Sequence, residues 1–448
     1  MTGNDVKKTE LIWPGKYDEN GKHREVDRVE LPFQIIETIN ESRATREARK
    51  REKQLTLYDM WFKKEGDTFE EGWKNKLIWG ENKLVMSSLV KEFAGKIHLI
   101  YIDPPFATGA DFRFTNQIGE NGLKFVKEQT IIEEKAYRDT WGKNISSYLQ
   151  MMHDRLILMF DLLAPNGSIY VHMDYHVGHY VKMIMDDIFE NLVNEIVWVY
   201  SGRESIKSRK FARKHDTLLF YAKNIDDYIF TKQFEPYNDK YIRLYFKHKD
   251  EQGRLYQLQP DGKGGRYRQY LDESKGFPVK DWWDIKPIHG IDYMKKNTEW
   301  TGFPTQKPEA LLKRIIEASS NEGDLVADFF CGSGTTLAVA EKLNRRWIGC
   351  DLSRWAIHIT RKRLLEIPDC KPFELLNLGK YERKYWQTIT FGKTKKHDEQ
   401  VIIFEYLKFI LKLYGAEPIS GMQHLHGRKE RADIHIGAVD TPVTIDEI

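Results

Sequence analysis

Cysteine is scarce: the 448 residues hold three, Cys331, Cys350 and Cys370. They lie far apart with no C-x-x-C pair, which argues against a disulfide framework and a zinc cluster and fits a reducing compartment. Long apolar runs are missing as well. No stretch reaches the roughly 20 apolar residues that a membrane span needs, and the first ten residues, MTGNDVKKTE, carry no apolar signal core. The expectation is a cytoplasmic protein without membrane attachment. An excess of one charge is also missing. Against 67 acidic residues stand 70 basic ones, for a net +3, so contact with nucleic acid would have to come from local patches. The pattern G-x-x-x-x-G-K-[ST] is absent, which removes a P-loop motor. What is present is a length suited to two or three domains and 41% hydrophobic residues, enough for a substantial core.

Along the chain the rhythm changes repeatedly. Residues 1–75 are charged, broken by WPG, and predict a helix around Phe33–Gln54 that ends in the basic run RATREARKREK. That run reads as a solvated helix face in preference to a phosphate contact. Residues 76–223 alternate strand and helix. Strands fall at KLIW, KIHLIYID, Ser168–Met173, VNEIVWVY and DTLLFYAK, and a long helix over NISSYLQMMHDRLILMFDLL is stopped by Pro-Asn-Gly. Residues 224–297 lose that rhythm: they are polar, glycine-punctuated, and mix Arg and Lys with Tyr, Phe and Trp. Two readings stand for this insert. Its cations would meet phosphates while its rings stack on bases, or it is a surface insertion with a small aromatic core of its own. Alternation returns over 298–385. Residues 386–448 predict an apolar helix, EQVIIFEYLKFILKLYG, and a hairpin in RADIHIGAVDTPVTIDEI. Strand and helix alternating in this way imply an α/β fold with a mostly parallel, helix-covered sheet.

Two short stretches carry chemistry. In LIYIDPPF, four apolar residues run into Asp103, Pro104, Pro105 and Phe106. Prolines cannot continue a strand ladder, so the strand stops at Asp103, at the edge where open parallel sheets bind ligands. In LVADFFCGSGTT, a strand ending in Asp328 meets a glycine turn. Gly332 and Gly334 allow close backbone approach to a ligand, and Thr335 and Thr336 are placed to cap the following helix. The next strand, RWIGCD, ends in Asp351, where an acid would accept hydrogen bonds from ribose hydroxyls. Leu337 stands where G-x-G-x-x-G would have its third glycine. The turn therefore suits a nucleoside without a pyrophosphate, which favours S-adenosylmethionine over NAD or ATP.

In that order, DPPF and then DFFCGSGTT, the chain resembles the amino-methyltransferases of DNA, in the permuted (beta-class) group whose catalytic motif precedes the cofactor motif. TQKPEALLKRII and LLAPNGSIYVHMD add to the likeness. It covers about residues 76–365 and is nearest in look to the modification subunits of type III restriction systems. The resemblance implies a doubly wound, Rossmann-like S-adenosylmethionine-dependent methyltransferase core. Residues 76–223 would be its catalytic half, 224–297 an inserted target-recognition region, and 298–385 its cofactor-binding half, with terminal extensions over 1–75 and 386–448. It implies Asp103, Pro104, Pro105 and Phe106 as the catalytic set. Asp328, Phe330, Gly332, Ser333, Gly334, Thr335 and Asp351 would hold the cofactor, with Lys307 and Pro308 near its methionine end and Asp328 close to its amino group. Double-stranded DNA is the implied partner. Any restriction activity would come from a partner subunit, and self-association into a homodimer is a further expectation of the family.

The exocyclic nitrogen of adenine is a poor nucleophile because its lone pair is delocalised into the ring. Asp103 and the Pro104 carbonyl are both acceptors; gripping the two amino hydrogens would favour a pyramidal nitrogen aimed at the methyl donor. The prolines fix φ and so hold the acceptors in advance. Phe106 stands where the family mostly has tyrosine, which removes a hydroxyl and keeps the stacking face. Asp in the first position, where cytosine-N4 enzymes mostly carry Ser, favours adenine. A cytosine-N4 enzyme, an RNA or protein methyltransferase, and a catalytically idle DNA-recognition subunit remain open alternatives. HMDYHVGH offers His172, Asp174, His176 and His179, but their spacing at a strand end does not put them on one face, and no metal is expected. The stretch IIEEKAYRD reads as a charged loop beside the cleft in preference to a nuclease site.

Overall fold

Ten strands form one sheet in the computed structural model, which describes residues 10–43, 45, 72–105, 114–118, 123–127, 145–200, 211, 214–288, 299–379, 411 and short strand segments between 417 and 434. In chain order the strands are β1 (Gln34–Ile39), β2 (Asn75–Trp79), β3 (Ile97–Ile102), β4 (Leu163–Met173), β5 (Leu192–Val199), β6 (His215–Ala222), β7 (Trp282–Asp284), β8 (Leu325–Asp328), β9 (Arg346–Asp351) and β10 (Phe373–Asn377). Their order across the sheet is β1-β10-β2-β9-β8-β3-β4-β6-β5-β7. The pairings are parallel except that β1 opposes β10 and β6 opposes both β4 and β5.

Side chains alternate between the two faces of each strand, and the core divides accordingly. Ile97, Ile100 and Ile102 of β3 pack with α1 (Asn82–Phe93), α2 (Ile145–Leu162) and α3 (Gly178–Ile188). Leu99 and Tyr101 pack on the opposite face with α4 (Glu309–Ser319) and α5 (Thr335–Lys342), where Ile357 and Leu364 of α6 (Arg354–Leu365) also lie. Helices on both faces of a mainly parallel sheet make this a doubly wound, Rossmann-like α/β fold. The chain leaves β8 toward β9 and leaves β3 toward β4, so the crevice between β8 and β3 is the topological switch point, where such sheets bind ligands.

Several expectations need correction. The helix predicted around Phe33–Gln54 begins as a strand. QIIETI, rich in β-branched residues, pairs along β10 at the sheet edge, and a helical turn opens only past Ser42, whose Oγ accepts the Thr45 N–H at 3.1 Å. Most of the rest of that stretch lies outside the described residues. The Pro-Asn-Gly stop is not a separate turn, because β4 starts at Leu163 as α2 ends. The pairing of Ile97 with Leu163 then shifts to Leu99 with Ser168, which absorbs Ala164–Gly167 as an irregularity in the strand. A described C-terminal hairpin pairs Gly427–Lys429 with Ala432–Ile434, ahead of most of the stretch predicted for it. The apolar helix before it, apart from Leu411, and the IIEEKAYRD loop lie outside the described residues.

Within the insert, Leu255–Pro260 and Arg266–Tyr270 form an antiparallel hairpin flanked by His248–Lys249. The helix Asp239–Tyr245 has no buried residue. Its Tyr241 joins Tyr237, Phe246 and Phe277 in a cluster of ring contacts. Arg254 lies over Tyr270 and Arg268 over Tyr256. The insert thus has the small aromatic core of its second reading, and it returns to the main sheet through β7.

Candidate active site

β3 and β8 are neighbours, with Val326 opposite Leu99 and Ala327 opposite Ile100. Their carboxyl ends therefore open into one place. Asp103, just past β3, and the Gly332 turn, just past β8, line the same cleft together with Tyr101, Phe303, Thr305, Lys307, Asp328, Phe330, Cys331, Ser333, Thr335 and Thr336.

The turn is built by its neighbours. Gly334 holds φ +71°, and a Cβ there would stand 2.4 Å from Thr360 Cγ2, so only glycine fits. Thr360 Oγ1 in turn donates to the Gly332 carbonyl at 3.0 Å. Asp351 ties the elbow from behind: its Oδ2 accepts the Gly332 N–H and its Oδ1 the Ser353 N–H, both at 2.8 Å. Across the sheet, the Asn82 amide donates to the Phe329 carbonyl at 2.9 Å, and Asn82 is held by Arg155, which also pairs with Glu81. The threonines do not cap α5 as expected, because Gly334 occupies the N-cap. Thr336 instead donates to Asp328 Oδ2 at 2.5 Å, and Thr335 donates to the Lys307 carbonyl at 3.2 Å while accepting from Arg363 Nη1 at 2.9 Å.

Electrostatics concentrate on two acids. Lys307 Nζ donates to Asp103 Oδ2 at 2.5 Å. Asp328 is buried, and its partners among the described residues are neutral: the Thr336 hydroxyl and the Phe330 N–H. Burial pushes its carboxyl up to about 7, and the nearby Asp103 and Asp351 charges push in the same direction. Such a group on a pocket wall is suited to a cationic ligand group, which would restore its charge. Burial also holds the Cys331 thiol well above its ordinary value, so it stays protonated.

The structure thus brings Asp103, Lys307, Asp328, Phe330, Gly332, Ser333 and Thr335 onto one cleft. Gly334 and Asp351 shape the elbow from outside that lining, and Pro308 is the N-cap of α4. Pro104 and Pro105 follow Asp103, and Phe106 lies outside the described residues. Sequence reasoning missed Tyr101 and Phe303. The two-residue alternation that puts Tyr101 on the face of Asp103 was a usable signal for the first; Phe303 had none. In HMDYHVGH the side chains diverge: His172 is buried in the sheet, Asp174 pairs with His176, and His179 is exposed. Among the described residues no three His, Cys, Asp or Glu side chains are grouped to hold a metal, and no helix is long and apolar enough to cross a membrane.

A family model described as DNA methylase matches residues 97–362. Among curated relatives, the type II methyltransferase M.EcaI of Enterobacter cloacae is 29% identical over 336 residues, covering 64% of this chain and 69% of its own. The type III restriction-modification enzyme StyLTI Mod subunit of Salmonella typhimurium is 26% identical over 385 residues, covering 72% of this chain and 58% of its own. Among solved structures, the cytosine-N4-specific PvuII DNA methyltransferase aligns over 64% of this chain and 86% of its own, at 16% identity and a TM-score of 0.40.

Proposed function

The chain belongs to the DNA methylase family, whose members take their methyl group from S-adenosylmethionine, and on that premise we propose that it is a site-specific methyltransferase acting on the N6 amino group of adenine in double-stranded DNA. The observation that carries this reading is the shared cleft, with the Asp103 carboxylate on one wall and the Gly332 elbow on the other. Bound in this cleft, S-adenosylmethionine would supply an electrophilic methyl group. Asp328, buried beside neutral partners, fits its ammonium group; Asp351, a carboxylate at the end of the strand next to the elbow, is the residue type that accepts from ribose hydroxyls.

Asp103 and the Pro104 carbonyl then serve the base. Each accepts one amino hydrogen, and the nitrogen lone pair is left facing the methyl group. Lys307 pairs with Asp103 Oδ2, which leaves further acceptor sites on the carboxylate for the amino group. This geometry cannot be met inside a duplex, so the adenine is flipped out at a cost of a few kcal/mol, lowered by stacking on Phe106. Carboxylate chemistry at the first position of DPPF supports adenine over cytosine. The insert, with cations laid over rings, is the proposed target-reading surface. With neither a P-loop motor motif nor a convincing nuclease motif in the sequence, any restriction would come from a partner subunit.

Nucleoside mass spectrometry of DNA incubated with the protein and S-adenosylmethionine tests this. N6-methyladenine is expected. N4-methylcytosine in its place overturns the base assignment, and the absence of any methylated base overturns the activity.

A further inference from the structure

By resemblance Lys307 belongs near the methionine end of the cofactor, yet in the structure its ammonium reaches the acid of DPPF. Nζ donates to Asp103 Oδ2 at 2.5 Å, and both side chains are largely buried. Ordering so long a side chain costs rotamer entropy, so the contact depends on a backbone that is already fixed. That backbone is braced from within. Gln306, the preceding residue, is buried, and its amide closes the loop. Oε1 accepts the Thr301 N–H at 2.9 Å and the Thr301 hydroxyl at 2.6 Å, and Nε2 donates to the Glu299 carbonyl at 2.6 Å. Beyond Pro308, the Glu309 N–H donates to Glu299 Oε2 at 2.9 Å. The same stretch is fastened to the glycine elbow. Thr335 Oγ1 accepts from Arg363 Nη1 at 2.9 Å and donates to the Lys307 carbonyl at 3.2 Å. Arg363 Nη2 also donates to Glu309 Oε1 at 2.8 Å, and Lys342 of α5 donates to both oxygens of Glu309. Each donor on this path faces a group that can accept.

We propose that Lys307 is a positioning residue for Asp103, held on the acid by the Gln306 brace and by the Thr335–Arg363 tie to the elbow. The terminal torsion of an aspartate is broad and roughly two-fold. The Lys307 bond to Oδ2 selects one setting and leaves Oδ1, with its lone pairs, for the amino group. Its charge also balances a cleft wall on which Asp103 and Asp328 lie together. Thr335 belongs to the turn that would hold the cofactor, and Lys307 to the loop that holds the acid, so their bond sets one reacting partner against the other. A lysine that merely met solvent at the start of α4 would need neither the brace nor the tie.

This inference rests on the reading of Asp103 as the acceptor for the amino group. The test is single-turnover methyl transfer from radiolabelled S-adenosylmethionine to DNA free of methylated bases, with S-adenosylmethionine affinity measured in parallel by calorimetry on the full chain. Lys307→Met, which keeps an unbranched side chain and removes the donor, is expected to slow transfer at saturating cofactor about 10²-fold, the scale of a misplaced reacting group. Cofactor affinity stays within about threefold, which also shows that the cleft is intact. Thr335→Val removes the tie and is expected to slow transfer about tenfold; Thr335→Ser, which restores the hydroxyl, recovers most of that loss. In the Lys307→Met background Thr335→Val slows transfer less than about twofold further, as for residues acting as a unit. Transfer by Lys307→Met within about threefold of the unchanged protein, while Asp103→Ala is strongly impaired, overturns the proposal. So does a Lys307→Met defect that lies in cofactor affinity and vanishes at saturating cofactor, the mark of a lysine that serves the cofactor. Full addition of the Lys307→Met and Thr335→Val losses overturns the tie. An active Asp103→Ala would instead remove the reading beneath it.

Discussion

The glycine elbow and the insert both rely on glycines and aromatic rings, yet they use them in opposite ways. At the elbow, Gly334 is pressed against Thr360, and nearly every residue from Leu325 to Leu337 is buried. In the insert, Gly262 has a similar φ of +73°, yet nothing would lie within 4 Å of a Cβ there. The insert rings pack on one another and under Arg254 and Arg268, with few residues fully buried. The elbow's shape is imposed by its surroundings, as a site that must meet a reacting group within a fraction of an ångström requires. The insert's shape is local, so its surface residues can change without disturbing the sheet. On the proposed function, chemistry and target choice would thereby be uncoupled.

The comparison can be broken most severely at Asp103. Asp103→Ala is expected to lower single-turnover methyl transfer by about 10³-fold, measured with labelled cofactor, while DNA affinity changes little. Next is Asp328. Its folded pKa, raised to about 7, means that the folded protein keeps a proton which the unfolded chain releases near 3.8. The stabilisation it contributes is full below about pH 4, falls by about 1.4 kcal/mol per pH unit as pH rises toward 7, and is lost above that. Urea unfolding of the unchanged protein and Asp328→Asn across pH 4 to 8 should show that slope in the difference. Cofactor binding near pH 6 should release protons, which calorimetry in buffers of different ionisation enthalpy would detect.

A matched glycine pair sharpens the contrast. Gly334→Ala incurs the left-handed backbone penalty of about 1–2 kcal/mol plus the clash with Thr360, and a loss of about 3 kcal/mol is expected in chemical unfolding. Gly262→Ala, with open space around it, should cost about 1 kcal/mol and leave transfer rates unchanged. The smallest effect is expected at the hairpin tip. Replacing Lys263 and Arg266 by Gln should weaken DNA binding several-fold and reduce its salt dependence, leaving transfer at saturating DNA unaltered. Loss of the single-turnover rate in that variant would mean that insert and core are coupled after all.

Much of the core was legible because its signals are local. An apolar run stopped by Asp-Pro-Pro, and a strand-glycine-helix sequence closed by a second acid, each carry their own geometry. The failures share a cause of another kind. QIIETI became a strand because the edge of β10 was free to receive it, a fact held hundreds of residues away. Thr335 and Thr336 look like caps to any local reading, but Lys307, Arg363 and Asp328 compete for their hydroxyls across the fold. His172 stands in HMDYHVGH, whose spacing argued against a metal but named no partner, because its partners, Tyr101 and Asp216, lie on other strands.

By itself the sequence determined the class of sheet, the two turns that end β3 and β8, and the residue types available for methyl transfer, since backbone sterics and hydrophobic periodicity act within a few residues. Only the tertiary structure decided that those turns meet, that Lys307 sits on Asp103, and that the hydrogen-bond partners of Asp328 among the described residues are neutral. Those are matters of strand order and of which charges are left together out of water, and neither is written in any one segment.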